Sequence, residues 1–220
     1  MLLLPLPLLF LLLLSAPTIV VALISPSAGF HVTIYPGIDD VSSAVVQDVV
    51  NHANEAIAAR KKFCLAVPGG SVLKMLAQLN KFATATDYSR WHLFYANHKC
   101  VPLNDPSSTH FKAQGLFLNN LPALNAYPIS ESADVAASAY AAAIKEVVPL
   151  LDGLPVFDYM LLGMGKDGHI GSLYPGRSEV LQAGPEPWVL RVDKKAPASV
   201  TLSLPVMNAA REVRLLECLP

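Results

Sequence analysis

The sequence predicts an α/β chain in three layers, helix on sheet on helix, around a mainly parallel sheet. Three observations predict it. Apolar runs with little polar alternation recur at "KFCLAV", "WHLFYA" and "FDYMLLGM", the pattern of strands buried on both faces. Helical stretches stand between these runs, as crossovers between parallel strands require. Each run leads into a loop with glycines or polar residues, at the sheet edge where ligands bind in such folds.

The elements come in this order. "FHVTIY" reads as a strand ended by Pro36 and Gly37. Residues 39–62 read as a helix capped by Asp39 or Asp40, with Val45, Val46, Val49, Ala53, Ile57 and Ala58 on one face. "KFCLAV" is a second strand, followed by "PGGS" and the helix "SVLKMLAQLN". "WHLFYA" is a third, and "NHKCVPLNDPSSTHFKAQGLFLNNL" a polar loop leading into a helix. "SADVAASAYAAAIKEVV" reads as a helix capped near Ser132, "FDYMLLGM" as a strand, and "PWVLRVD" and "ASVTLSL" as the last clear strands. The sum is a Rossmann-like domain assigned to residues 29–220.

Composition narrows the function classes. A formal net charge of -1 over 220 residues provides no electrostatic footprint for nucleic acid. A small phosphorylated substrate needs only one or two local cations, so it stays admissible. Cys64, Cys100 and Cys218 have no metal-ligand spacing and read as buried or free thiols. No cluster of His, Cys, Asp or Glu has the spacing of a metal site.

Residues 1–28 stand apart. Leu2 to Ile24 is almost wholly apolar, and the first Lys or Arg is Arg60. A secretory signal carries positive charge before its apolar core, and Pro5, Pro7 and Pro17 interrupt a helix, yet the length suits a membrane span. Three readings stay open: a signal or anchor, a start of translation placed too far upstream, and a structural segment. A membrane-anchored protein of unrelated function would rest on this segment alone. The leader is left out of the predicted fold.

Three loops carry unusual chemistry. In "PGGS", Gly69 and Gly70 let backbone N–H groups approach an anion, and Ser71 can cap the next helix or donate to a phosphate oxygen; an ordinary tight turn is the plainer reading. In "GMGKDGHIGSLYPG", Gly163, Gly165 and Gly168 permit tight turns, and Asp167 lies two residues before His169. A histidine can act as a general base near neutral pH, and a nearby carboxylate can orient it. In "NHKCVP", Lys99 is the one Lys or Arg at its strand end and can meet a phosphate as a point charge. His98 reads as a surface residue, and His110 as an exposed helix residue. "GMGKDG" has the spacing of a dinucleotide fingerprint, but Pro175 and Gly176 soon break the stretch after it.

Together these loops resemble 6-phosphogluconolactonase, in the superfamily that includes glucosamine-6-phosphate deaminase. The resemblance covers roughly residues 31–214. It rests on "FDYMLLGMGKDGHIGSLYPG", "AVPGGS", "WHLFYANHKCVPLNDPSST" and "SVTLSLPVMNAA". It implies hydrolysis of 6-phospho-D-glucono-1,5-lactone without a cofactor. His169 would activate water beside Asp167, and Gly69, Gly70 and Ser71 would hold the phosphate. Lys99, Asn97, Gly165 and Lys166 would complete the substrate site. "IGSLYPG" holds Tyr174 where the deaminases place a glutamate, which favours the lactonase. The resemblance implies a cytoplasmic or plastid protein, while the leader leaves secretion or a membrane open.

The departures are specific. The family's Asp-Glu-Arg is Asn97, His98 and Lys99 here, its Ser-Asn is Ser108 and Thr109, and an arginine expected before "VTL" is Ser199. Each lost charged hydrogen bond to phosphate costs about 1.5–3 kcal/mol. A catalytically weak homologue that binds a sugar phosphate or a protein partner is the alternative these changes motivate. The family continues past the segment matching Val213 with a strand, a helix and a strand. The expectation is therefore a C-terminally truncated domain with an apolar sheet edge or face exposed.

Overall fold

The computed structural model describes residues 19–25, 29–129 and 132–218. In chain order its regular elements are β1 (Ile19–Ser25), β2 (Gly29–Tyr35), α1 (Ile38–Arg60), β3 (Phe63–Val67), α2 (Ser71–Met75), β4 (Trp91–Tyr95), β5 (Asn97–Lys99), α3 (Thr109–Leu116), β6 (Asn125–Ala126), α4 (Ala133–Val147), β7 (Leu150–Leu151), β8 (Leu154–Pro155), β9 (Tyr159–Gly163), β10 (Val189–Val192), β11 (Ser199–Leu202), α5 (Leu204–Ala209) and β12 (Val213–Cys218). The central sheet runs β2-β1-β12-β9-β3-β4-β6. From β12 to β6 all pairings are parallel; β1 is antiparallel to both of its neighbours.

Burial follows the apolar runs. β3 is buried at every position, and Tyr159 to Leu162 of β9 are buried as well. Side-chain alternation divides β4 between the two helical layers. Phe94 meets Tyr140 of α4, while Trp91, of the opposite parity, packs on Tyr88 and Phe63. On the second layer, α1 turns Val41, Val45, Val46, Val49, Val50, Ala53 and Ala56 inward. Ala58, expected on that face, is exposed, and Ile57 is half-buried. The N-cap is Gly37; Asp39 and Asp40 lie inside the first turn, where they complement the helix dipole without capping it.

The structure departs from the sequence reading in three places. Ile19–Ser25, left out with the leader, forms β1, paired with β2 on one side and β12 on the other. The boundary drawn at residue 29 therefore falls between two strands of one hairpin. The rest of the leader lies outside the described residues. Second, Val213–Cys218 is a strand between β1 and β9. β1 pairs along β12, and beyond it β2 forms the sheet edge with Val32 and Ile34 exposed. Third, β10 and β11 are not in the parallel sheet. They form a separate antiparallel sheet with β5, a strand of three residues inside what reads as a loop. Three residues are too few for an alternation to register in sequence. Among the described residues no helix is long and apolar enough to cross a membrane.

One polar network ties α1 to the sheet. The Asp48 carboxylate accepts from Tyr159 Oη at 2.6 Å and from Arg214 Nε at 2.8 Å, with His52 Nδ1 at 3.2 Å. Arg214 is buried and also pairs with Glu212. Burial alone would raise the Asp48 carboxyl, but hydrogen bonds with His52 and Tyr159 and the charge of Arg214 outweigh it, lowering it from 3.8 to about 2. The hydrogen bond to Asp48 raises His52 above its ordinary 6.5, against burial. The Asp48 contribution is thus present above its ordinary value of 3.8 and lost as pH falls toward about 2. That of His52 is complete below 6.5 and lost as pH rises through its raised value. Asp48→Asn is expected to cost about 1–3 kcal/mol at mildly acidic pH. The gap to the parent chain should narrow toward strong acid and above neutrality; denaturant unfolding across the pH range checks both limbs.

Candidate active site

The parallel strands deliver three loops to one end of the sheet. After β3 comes Pro68-Gly69-Gly70. Gly70 is the N-cap of α2 with φ 76° and ψ -145°, a conformation that a side chain would strain. Ser71 is the first helical residue rather than the cap, and its helix is α-helical only to Met75. After β4 the chain enters β5 directly. After β9 comes the loop bearing His169.

These loops enclose a cleft of about 300 Å³ lined by Gly69, Gly70, Ser71, Asn97, Lys99, Gly165 and His169, among others. Seven of the nine residues singled out in the sequence therefore share one cavity. Asp167 reaches it through His169, whose Nδ1 stands 2.5 Å from Asp167 Oδ1. Lys166 does not line it. Gly168 N–H donates to the Gly165 carbonyl at 2.8 Å, closing a turn with Lys166 and Asp167 at its corners. Lys166 is exposed there, while Asp167 folds back toward the His169 amide and ring.

Ser107 and Thr109, from the quoted "WHLFYANHKCVPLNDPSST" stretch, also line the cleft, and Lys112 enters it from beyond the expected loops. Lys112 is a second cation beside Lys99; both sit close enough to Asp105 to lower its carboxyl, after the larger effect of its hydrogen bonds to Ser107. Lys112 carries no signal in the sequence because it lies in the first turns of α3, where a lysine reads as a solvated helix residue.

His98 corrects the expectation of a surface residue. It is 1% exposed. Its Nδ1 stands 2.5 Å from the Lys99 carbonyl, and its Nε2 accepts from the His110 amide at 3.2 Å. Ser108, the N-cap of α3, accepts from the Phe111 amide. The imidazole and the serine thus satisfy successive orphan amides of α3, and burial keeps His98 below its ordinary value. His110 is half-buried rather than exposed, bonded to Tyr95 Oη at 2.8 Å.

Asn97 and Ser199 also have definite places. Asn97 Nδ2 and Ser199 Oγ both donate to Ser172 Oγ, at 3.3 and 3.2 Å, and Ser199 lies opposite Lys99 in the β11–β5 register. A neutral hydroxyl and amide network therefore ties the His169 loop to the small sheet. Cys64 and Cys100 are buried and free; burial pushes the Cys64 thiol up to about 12 and raises that of Cys100, so neither is a ready nucleophile. The Cys218 side chain is outside the described ones.

Chemically, the arrangement offers a base and an anion pocket in one cavity. With Nδ1 on Asp167, the lone pair left for proton abstraction is on His169 Nε2, which has no protein partner among the described residues. Close packing enforces that orientation. A Cβ on Gly165 would stand 2.2 Å from His169 Cε1 and Nδ1, and 2.8 Å from Asp167 Oδ1. Gly165→Ala is therefore expected to displace the imidazole and to cost about 1–3 kcal/mol through overpacking. Denaturant unfolding reads the cost, and loss of the His169 Nδ1–H signal bonded to Asp167 in the imidazole NMR spectrum reads the displacement.

The chain matches the family described as glucosamine-6-phosphate isomerases/6-phosphogluconolactonase over residues 36–218. It is 35% identical over 175 residues to 6-phosphogluconolactonase 3, chloroplastic, of Arabidopsis thaliana, covering 72% of this chain and 53% of that protein. It is 29% identical to the probable 6-phosphogluconolactonase 4 of the same plant, over 80% of this chain and 75% of the relative. The chain thus spans about half the length of the first of these relatives. The solved 6-phosphogluconolactonase of Trypanosoma brucei superposes with a TM-score of 0.71 at 24% identity, over 79% of this chain and 76% of that one, which establishes a shared fold. The chain belongs to the glucosamine-6-phosphate isomerase/6-phosphogluconolactonase family.

Proposed function

We propose that this chain hydrolyses 6-phospho-D-glucono-1,5-lactone to 6-phospho-D-gluconate, the lactonase step of the oxidative pentose phosphate pathway. The observation that carries the reading is the cleft itself. One cavity holds a histidine with a free Nε2 together with a glycine-serine loop and two lysines. Relatives named 6-phosphogluconolactonase support the substrate, and those named chloroplastic support a plastid, with the cytosol as the second compartment.

The residues then have separate tasks. Gly69, Gly70 and Ser71 offer backbone and hydroxyl donors to the phosphate, and Lys99 and Lys112 offer charge. Asn97 and Gly165 form the wall between phosphate and lactone. His169 Nε2 takes a proton from water as its oxygen attacks the lactone carbonyl carbon. The tetrahedral intermediate collapses by breaking the bond from that carbon to the ring oxygen. The proton held on the imidazole passes to that oxygen, so one water is added and the carboxylic acid ionises. Asp167 keeps Nδ1 as the donor and stabilises the imidazolium formed in between. No step needs a cofactor.

Lys112 bears on the charge deficit. Where the family pattern leads one to expect arginines, Lys99 and Ser199 stand, and Lys112 offers a second cation from another element. A lysine does not reproduce an arginine's two-pronged geometry, but it restores charge.

Initial rates of 6-phosphogluconate formation above the spontaneous background test the reading. His169→Ala is expected to lose about a hundredfold or more in kcat while the protein stays folded. Lys99→Ala and Lys112→Ala should each raise KM about tenfold with little change in kcat. A rate unchanged in His169→Ala sinks the mechanism. Binding of 6-phosphogluconate by a folded chain that does not turn over the lactone would favour a binding homologue instead.

A further inference from the structure

Tyr174 and Lys194 lie outside every role assigned above, yet both bear on the base. Ile170 and Leu173 exchange backbone hydrogen bonds, Ile170 N–H to Leu173 O at 3.2 Å and Leu173 N–H to Ile170 O at 2.9 Å. This closes a four-residue turn whose flanking positions are 169 and 174. The two side chains are therefore neighbours across a hairpin-like pair. Their ring centroids are 4.7 Å apart with planes 30° from each other. Tyr174 is only 8% exposed although it adjoins an open cleft. Its hydroxyl makes no hydrogen bond among the described residues, so the ring is the working part. Over that ring stands Lys194 Nζ, 3.9 Å from the centroid, with Lys195 Nζ at 5.5 Å; both lysines belong to the connection between β10 and β11.

The base needs this support. One hydrogen bond to Asp167 holds Nδ1 but leaves the imidazole free to turn about that bond. A proton acceptor works through a lone pair in the plane of its ring, so the plane must be held as well as the position. The Gly165 backbone closes off the Cε1 and Nδ1 side, and the remaining restraint is the tyrosine ring. We propose that Tyr174 is a positioning residue that sets the plane of the His169 imidazole, and that Lys194 clamps the tyrosine ring from the β10–β11 connection. This rests on the reading of His169 as the base.

The test uses the full chain and four variants. In lactone hydrolysis, Tyr174→Leu should lower kcat about tenfold or more and leave KM within about twofold, because the phosphate pocket is untouched. Tyr174→Phe keeps the ring and should restore the parent kcat. Lys194→Met should lower kcat roughly two- to fivefold, the scale of an exposed cation–π contact, and Lys194→Arg should restore it. Imidazole NMR reads the same geometry without turnover: the ring-current shift of the His169 ring protons should vanish in Tyr174→Leu and persist in Tyr174→Phe. The proposal is overturned if folded Tyr174→Leu keeps the parent kcat and ring-current shift, or if Tyr174→Phe loses as much as Tyr174→Leu. Should Tyr174→Leu not fold, Lys194→Met decides, since that side chain is exposed: an unchanged kcat and an unchanged ring-current shift overturn the proposal. If His169→Ala retains the parent rate, the reading of His169 as base fails, and the NMR arm still reports on the stacking.

Discussion

The Thr201 hydroxyl is the joint on which the site depends. It is buried, at 1% exposure. It accepts from the Ser172 amide at 3.3 Å, and the Ala96 and Leu202 carbonyls, each at 3.3 Å, share its single proton. Ala96 directly follows β4 of the central sheet, Thr201 belongs to β11 of the small sheet, and Ser172 belongs to the loop carrying His169. The Thr201 side chain thus touches both sheets and the loop of His169. The Leu202 amide reinforces it with a bond to the same Ala96 carbonyl at 2.8 Å.

The cleft is tightly packed around the histidine and looser around its two lysines. His169 is confined by the Gly165 backbone, the Asp167 carboxylate and the Tyr174 ring. Lys99 and Lys112 are exposed side chains with many rotamers, and holding either on a ligand costs side-chain entropy. This division suits the proposed hydrolysis, in which a proton acceptor must be aimed and a phosphate need only be held. The glycines of the His169 loop belong to the tightly packed half, because one of them leaves no room for a methyl group beside the ring.

The substitutions at residues 97–99 look different in the fold than in the sequence. As a string, Asn97, His98 and Lys99 are losses of charge. In the fold, His98 is a buried neutral acceptor for the amides that open α3, and Asn97 is one arm of a network shared with Ser172 and Ser199. Each of these neutral side chains has a hydrogen-bond partner, as polar groups taken from water require.

Much of the fold was legible in the sequence because it is written locally. Runs of buried apolar residues announce β3, β4 and β9, helical periodicity announces α1 and α4, and glycines at strand ends mark the Gly69–Ser71 loop and the His169 loop. Parallel strand order brings these loops to one end of the sheet, so the cleft and the histidine that lines it could be located from the chain's own pattern. What tertiary structure decided are the features whose partners are distant in the chain. Thr201 meets a carbonyl 105 positions away, β1 lies beside β12 from the far end of the chain, β5 exists only because β11 pairs with it, and Lys112 reaches the cleft from a helix whose local pattern says nothing of it. Local periodicity reports which face of an element is buried, but it carries no record of what that face or edge is buried against.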